Sequence, residues 1–107
     1  MPYQNTITLC TDFLGNYEQI QSAATHELVH AVDFCKEPMK ALDCESLTCS
    51  ELRAASFAEC AQIYGMARSD CIKSTAIKAT KFNCQNAEEL VQKLFNACGR
   101  EEIPTSI

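Results

Sequence analysis

The run His26-Glu27-Leu28-Val29-His30-Ala31-Val32-Asp33-Phe34-Cys35 decides how the rest of the chain is read. Its first five residues spell H-E-x-x-H, and they hold both histidines of the 107-residue chain. On a helix, at about 100° per residue, positions four apart lie about 40° apart around the axis. Two imidazoles so placed can chelate one metal ion, and Zn²⁺ is the usual occupant. Glu27 falls about 100° from His26, near enough to act on a water at the metal but badly placed to chelate with both histidines. That is the position of a general base. The pattern predicts metal-assisted hydrolysis of a peptide bond. Leu28, Val29, Ala31 and Val32 occupy the arc away from the histidines. The helix is therefore expected to be buried on both sides, in the core on one and around the ligands on the other.

Length and composition fit one domain over residues 1–107. Apolar residues make up 47% of the chain, enough for a core although Trp is absent. The net charge of −5, with no Lys/Arg cluster, argues against nucleic acid as a partner. No apolar run approaches the roughly 18 residues of a membrane-spanning helix. The start, Met1-Pro2-Tyr3-Gln4-Asn5, has the pattern of neither a signal peptide nor an Arg-rich presequence.

Cysteine is the outlier, with eight: Cys10, Cys35, Cys44, Cys49, Cys60, Cys71, Cys84 and Cys98. No C-x-x-C pair occurs, which removes the zinc-ribbon and thioredoxin-type spacings. An even count spread along the chain suggests disulfides that staple helix to helix in an oxidising compartment. The competing reading is free buried thiols packed as small hydrophobes.

Residues 5–10 alternate polar and apolar with β-branched side chains, which predicts a half-buried strand. A helix is expected from Tyr17 through the motif to about Lys36, then a loop over 37–47 containing Pro38. Thr48-Cys49-Ser50-Glu51 matches a capping box, predicting a helix from Leu52 to about Gly65 with Phe57, Ile63 and Tyr64 inward. A third helix is expected over Ser69–Lys81. A second capping box, Asn86 to Glu89, opens a fourth that Gly99 stops. The fold class expected is α+β, mostly α: a minimal zincin-like domain with one edge strand, the H-E-x-x-H helix and three further disulfide-stapled helices.

A catalytic zinc normally takes three protein ligands and leaves a fourth position open. With no further histidine, the third ligand has to be Asp, Glu or Cys. Glu51 opens a separate helix, so its carboxylate can approach from a second direction. Asp33 shares the face of His26 but lies a full turn beyond the histidines. It reads as an outer group orienting a histidine or an arginine, or as the alternative ligand. Arg53 reads as a partner for Asp33 or for a substrate carbonyl. Plainer readings stand beside these: Glu51 as the reciprocal half of its capping box, Arg53 as a solvated charge, and the histidines as core residues. Glu27 between the two histidines weakens the last.

The opening run, followed by Cys49-Ser50-Glu51-Leu52-Arg53-Ala54-Ala55, resembles a family of mitochondrial inner-membrane metalloproteases. These process and chaperone a membrane subunit of the ATP synthase, and animal members are described as Ku-binding proteins. Ile7-Thr8-Leu9-Cys10, Cys60, Cys71, Cys98 and Ile103-Pro104 extend the likeness over nearly the whole chain. The resemblance implies a zinc metalloendopeptidase of the intermembrane space, peripheral to the inner membrane and folded by disulfide formation. Its protein substrate would be the precursor of that ATP synthase subunit. It implies His26 and His30 as metal ligands, Glu27 as the catalytic acid/base and Glu51 as the third ligand. It also implies a role in assembly independent of proteolysis.

Two departures stand out. The family carries a substantial segment ahead of the strand near residue 5, so the N-terminal sheet is expected to be missing or shortened here. Cys44 and Cys84 look like additions and are candidates to pair with each other. The rival function is a non-proteolytic assembly subunit of a mitochondrial membrane complex that keeps the fold and a structural zinc. A secreted toxin-like domain would explain the cysteines but leave both histidines idle.

Overall fold

The eighteen residues from Tyr17 to Phe34 contain neither Gly nor Pro, and they form one uninterrupted helix, α1. The structure, a computed structural model, describes residues 17–98. The strand read at 5–10 and the tail after Cys98 lie outside the described residues. Pro38 opens a short 3₁₀ turn, Pro38–Leu42, inside the stretch expected to be a plain loop.

Helix α2 spans Cys44–Phe57 and begins eight residues before the expected Leu52. Asp43 is the cap, its side chain accepting from the Ser46 amide at 2.9 Å. The Thr48 hydroxyl donates to the Cys44 carbonyl at 2.6 Å, satisfied within the helix, so it does not cap it. Glu51 therefore sits in mid-helix rather than in a first turn. α2 also ends at Phe57, eight residues short of Gly65. Gly65, with φ of 71°, takes the left-handed conformation that glycine adopts without steric cost, and caps α3, Met66–Thr80. This start is three residues ahead of the expected Ser69. α4, Ala87–Cys98, begins where the second capping box places it, with the Leu90 amide bonded to the Asn86 carbonyl at 3.0 Å.

No strand or sheet occurs among the described residues, all of whose regular elements are helical. The α+β, edge-strand class is therefore corrected to an all-helical, disulfide-linked arrangement of four helices. The physical reason is local. From residue 17 onward the chain is dominated by Ala, Leu, Glu, Lys and Gln between caps, and the alternation that suggested a strand is confined to residues 5–10.

α2 is the central helix, packed on α3 and α4 along one side and on α1 along the other. The core lies on the α3/α4 side and consists of Leu52, Ala55, Cys60, Ile72, Ala76, Val91 and Cys98, with Leu94 and Phe95 partly buried against it. Disulfides Cys44–Cys84, Cys49–Cys98 and Cys60–Cys71 tie α2 and its flanks to that same side. The first is the pairing suggested for the two additional cysteines. Each closed loop contributes on the order of 2–4 kcal/mol.

The far side of α1 departs from expectation. Val29 is buried in the contact with α2, whereas Leu28 is 52% exposed and Ala31 is exposed. Among the described residues α1 is covered on one side only, so burial on both sides is corrected. No helix of the described residues is long and apolar enough to cross a membrane.

Candidate metal centre

Beside buried Val29, the face that α1 turns toward α2 carries His26, His30 and Asp33. Its four-residue spacing stacks His26 above His30, with ring centroids 4.8 Å apart and the planes nearly perpendicular. Opposite them, mid-helix on α2, the Glu51 carboxylate is only 10% exposed. A single oxygen, Glu51 Oε1, lies 3.1 Å from His26 Nε2 and 3.2 Å from His30 Nε2. The ligand atoms of His26, His30 and Glu51 all fall within 4.8 Å of one another, so these three side chains could hold a metal ion.

What the other ring nitrogens do makes this convergence informative. Ser50 Oγ donates to Asp33 Oδ2 at 2.7 Å, so at 2.7 Å from His30 Nδ1 it accepts the ring N–H. Arg53 Nε donates to the same Asp33 oxygen at 3.2 Å. With Nδ1 satisfied by Ser50, His30 turns Nε2 toward the same Glu51 oxygen. A ring nitrogen and a carboxylate oxygen hold that approach only with a cation, proton or metal, between them. His26 Nδ1 lies 2.9 and 3.1 Å from the two carboxylate oxygens of Glu59. Phe34 stacks on His30 from the next turn, centroids 6.2 Å apart.

The electrostatics agree. Hydrogen bonds to Glu51 and then Glu59 outweigh burial and raise His26 from 6.5 to about 10. Burial pushes the Glu51 carboxyl up, but the hydrogen bonds and charge of His26 and His30 overcome this and hold it at about 2. Without a metal, the two carboxylates on either side of His26 favour its protonated form. The cluster prefers positive charge. Two nitrogens and one carboxylate oxygen form a donor set that suits a borderline divalent cation, and the Nδ1 partners aim both Nε2 atoms at one place.

Among the predicted site residues, His26, His30 and Glu51 come together. Asp33 does not reach the centre; with its side chain 8% exposed, it stands behind His30 through Ser50 and pairs with Arg53. Glu27 lies on the exposed flank of α1 beside the site. Sequence reasoning missed Ser50 and Glu59. The signal for both was chemical rather than positional: a ligand histidine needs an acceptor on its second nitrogen.

Comparisons with known proteins bear on the same residues. The chain is 28% identical to the mitochondrial inner membrane protease ATP23 of Candida albicans over 92% of its length and 48% of the relative's. It is 26% identical to the ATP23 homolog of Danio rerio over 92% of this chain and 44% of that one. It is 29% identical to the homolog of Mus musculus over 79% and 47% respectively. The chain spans about half the length of the curated relatives it matches. No solved structure matches it. The sequence model of the Peptidase M76 family matches residues 2–106, a span that contains the histidines, Glu27 and Glu51, and on that match the chain belongs to the Peptidase M76 family.

Proposed function

We propose that this chain is a zinc metalloendopeptidase domain, with His26, His30 and Glu51 holding the metal and Glu27 as the catalytic acid/base. One observation carries the reading. Two imidazole Nε2 atoms converge on one buried carboxylate oxygen while their Nδ1 atoms are engaged elsewhere. Such a set of three protein ligands leaves room for a fourth position, as catalytic rather than structural zinc requires.

Zn²⁺ bound there would supply Lewis-acid polarisation of the scissile carbonyl and a lowered pKa for water. The chain's own residues do the rest. Glu27, a helical step round from His26 and open to solvent, takes the proton of the attacking water and returns it to the leaving amine. The Ser50–Asp33–Arg53 relay keeps His30 in one tautomer, with Asp33 as an orienting group rather than a ligand. The substrate class is a protein, in keeping with the relatives' printed name. By the family resemblance we extend this to the precursor of an ATP synthase membrane subunit. We also place the chain in the mitochondrial intermembrane space, peripheral to the inner membrane.

The test pairs metal content with cleavage of an unfolded protein. The parent should bind one Zn²⁺ and cleave; Glu27→Gln should bind the same amount and not cleave. Cleavage retained by the Glu27→Gln variant would overturn the assignment of the base.

A further inference from the structure

Glu59, which holds His26 Nδ1, belongs not to a helix but to the turn that follows α2. That turn leaves helical geometry at Ala58, with φ −110° and ψ −86°. The Glu59 carboxylate is 40% exposed. An exposed carboxylate on an unrestrained turn gains little from one partner, because ordering the chain costs about as much as the contact returns. Its hold on His26 depends on what fixes the backbone beneath it.

Two groups on α3 do so. The Arg68 guanidinium donates to the carbonyls of Cys60 at 2.5 Å, Ile63 at 3.3 Å and Ser56 at 3.1 Å, and to Ser56 Oγ at 2.7 Å. These acceptors belong to the last turn of α2 and the segment after it, where carbonyls lack intrahelical partners. The planar fork of Arg engages several of them at once. The Cys60–Cys71 disulfide then ties the residue next to Glu59 to α3, and Cys60 is fully buried in the core. Arg68 touches neither histidine nor Glu51. Its hydrogen bonds go to the end of α2 and to the turn that carries Glu59.

We propose that the turn after α2 is a positioning arm for the metal centre. In this arrangement Arg68 and the Cys60–Cys71 disulfide hold Glu59 on His26 Nδ1 and so set metal affinity. The inference rests on the proposed metal centre. It extends the control of that centre to α3, an element that contributes no ligand. Carboxylates on the outer nitrogen of ligand histidines fix the ring's tautomer and direction, and losing one typically weakens metal binding about 10–100-fold.

The experiment measures Zn²⁺ affinity by competition with a chelator, alongside thermal unfolding of each metal-free protein. Glu59→Gln should bind about 10–100-fold more weakly than the parent, with the metal-free variant still showing a cooperative unfolding transition. Arg68→Met should weaken binding in the same direction. The double variant should lose little beyond either single one, because both act through one contact. Glu59→Gln binding within about twofold of the parent overturns the arm, as do losses for Glu59→Gln and Arg68→Met that add in full. Should Arg68→Met fail to fold, the Glu59→Gln comparison alone still decides. A parent protein that takes up no zinc overturns the metal centre itself and the arm with it, which separates the two failures.

Discussion

Glu51 and Leu52 are neighbours on α2, and both are buried, at 8% and 0% exposure, for opposite reasons. Leu52 faces α3 and α4 across an apolar core reinforced by disulfides. Glu51 faces α1 across a polar seam of His26, His30, Ser50, Asp33 and Arg53. One helix thus separates a side that holds the fold from a side that gathers charge. Removing water from a carboxylate and two imidazoles costs free energy that only partners can offset, so the seam is expensive to keep and uses nearly every donor it has. The apolar side makes that seam sustainable. Changes on the two sides of α2 should therefore have separable consequences.

The largest expected effect lies on the seam. Glu27→Gln should lower cleavage of an unfolded protein by about 10²–10⁴-fold while bound zinc is unchanged, measured by turnover beside metal analysis. Across the helix, Leu52→Ala should cost about 2–5 kcal/mol in denaturant unfolding, because a fully buried side chain leaves a cavity. Cleavage per folded molecule should survive that change; its loss would break the separation of the two sides. Ser50→Ala cuts the link between His30 Nδ1 and Asp33, and should weaken zinc about 10–100-fold in a chelator competition.

A pH series sharpens the same contrast. The raised His26 stabilises the metal-free fold fully below pH 6.5, and this contribution is lost as pH rises through about 10. The depressed Glu51 contributes above pH 4.5, and this is lost as pH falls through about 2. The melting temperature of the metal-free protein should therefore fall on going from pH 6.5 toward 10. Zinc, which has to displace the His26 proton, should gain about tenfold in affinity per pH unit between pH 6 and 8. The smallest effect is expected at Leu28. It is half exposed on the outer side of α1, and Leu28→Ser should move stability by no more than about 0.5 kcal/mol.

Part of the candidate site is legible in the sequence. The H-E-x-x-H spacing placed both histidines on one helical face. The need for a third ligand from a second direction points to Glu51, and the full turn between Asp33 and the histidines points to an orienting role. The fold was less legible, for identifiable reasons. Thr48-x-x-Glu51 has the letters of a capping box, but Asp43 caps the helix and Glu51 is drawn to the histidines, so α2 starts earlier than its internal pattern implies. The strand-like alternation at 5–10 lies outside the described residues, and from residue 17 onward the helical signals prevail. Apolarity alone predicts burial of Leu28 and Ala31, and nothing in the local pattern says which apolar arc of a helix finds a partner. Glu59 stands 33 residues from the histidine it touches, in a turn whose shape depends on Arg68. No local pattern could have shown that contact.

The three disulfides among the described residues all fasten α2 and its flanks to the α3/α4 side, and none of them reaches α1. Among the described residues, α1 is therefore the helix that no disulfide fastens to the rest. In amide exchange it should open as its own unit, below the free energy of the covalently knit half. A cation shared by His26, His30 and Glu51 would span that seam as a reversible stitch. It would protect α1 by an amount that grows with the logarithm of free metal over its dissociation constant. The protein would then report its metal supply as the lifetime of one helix against its neighbours.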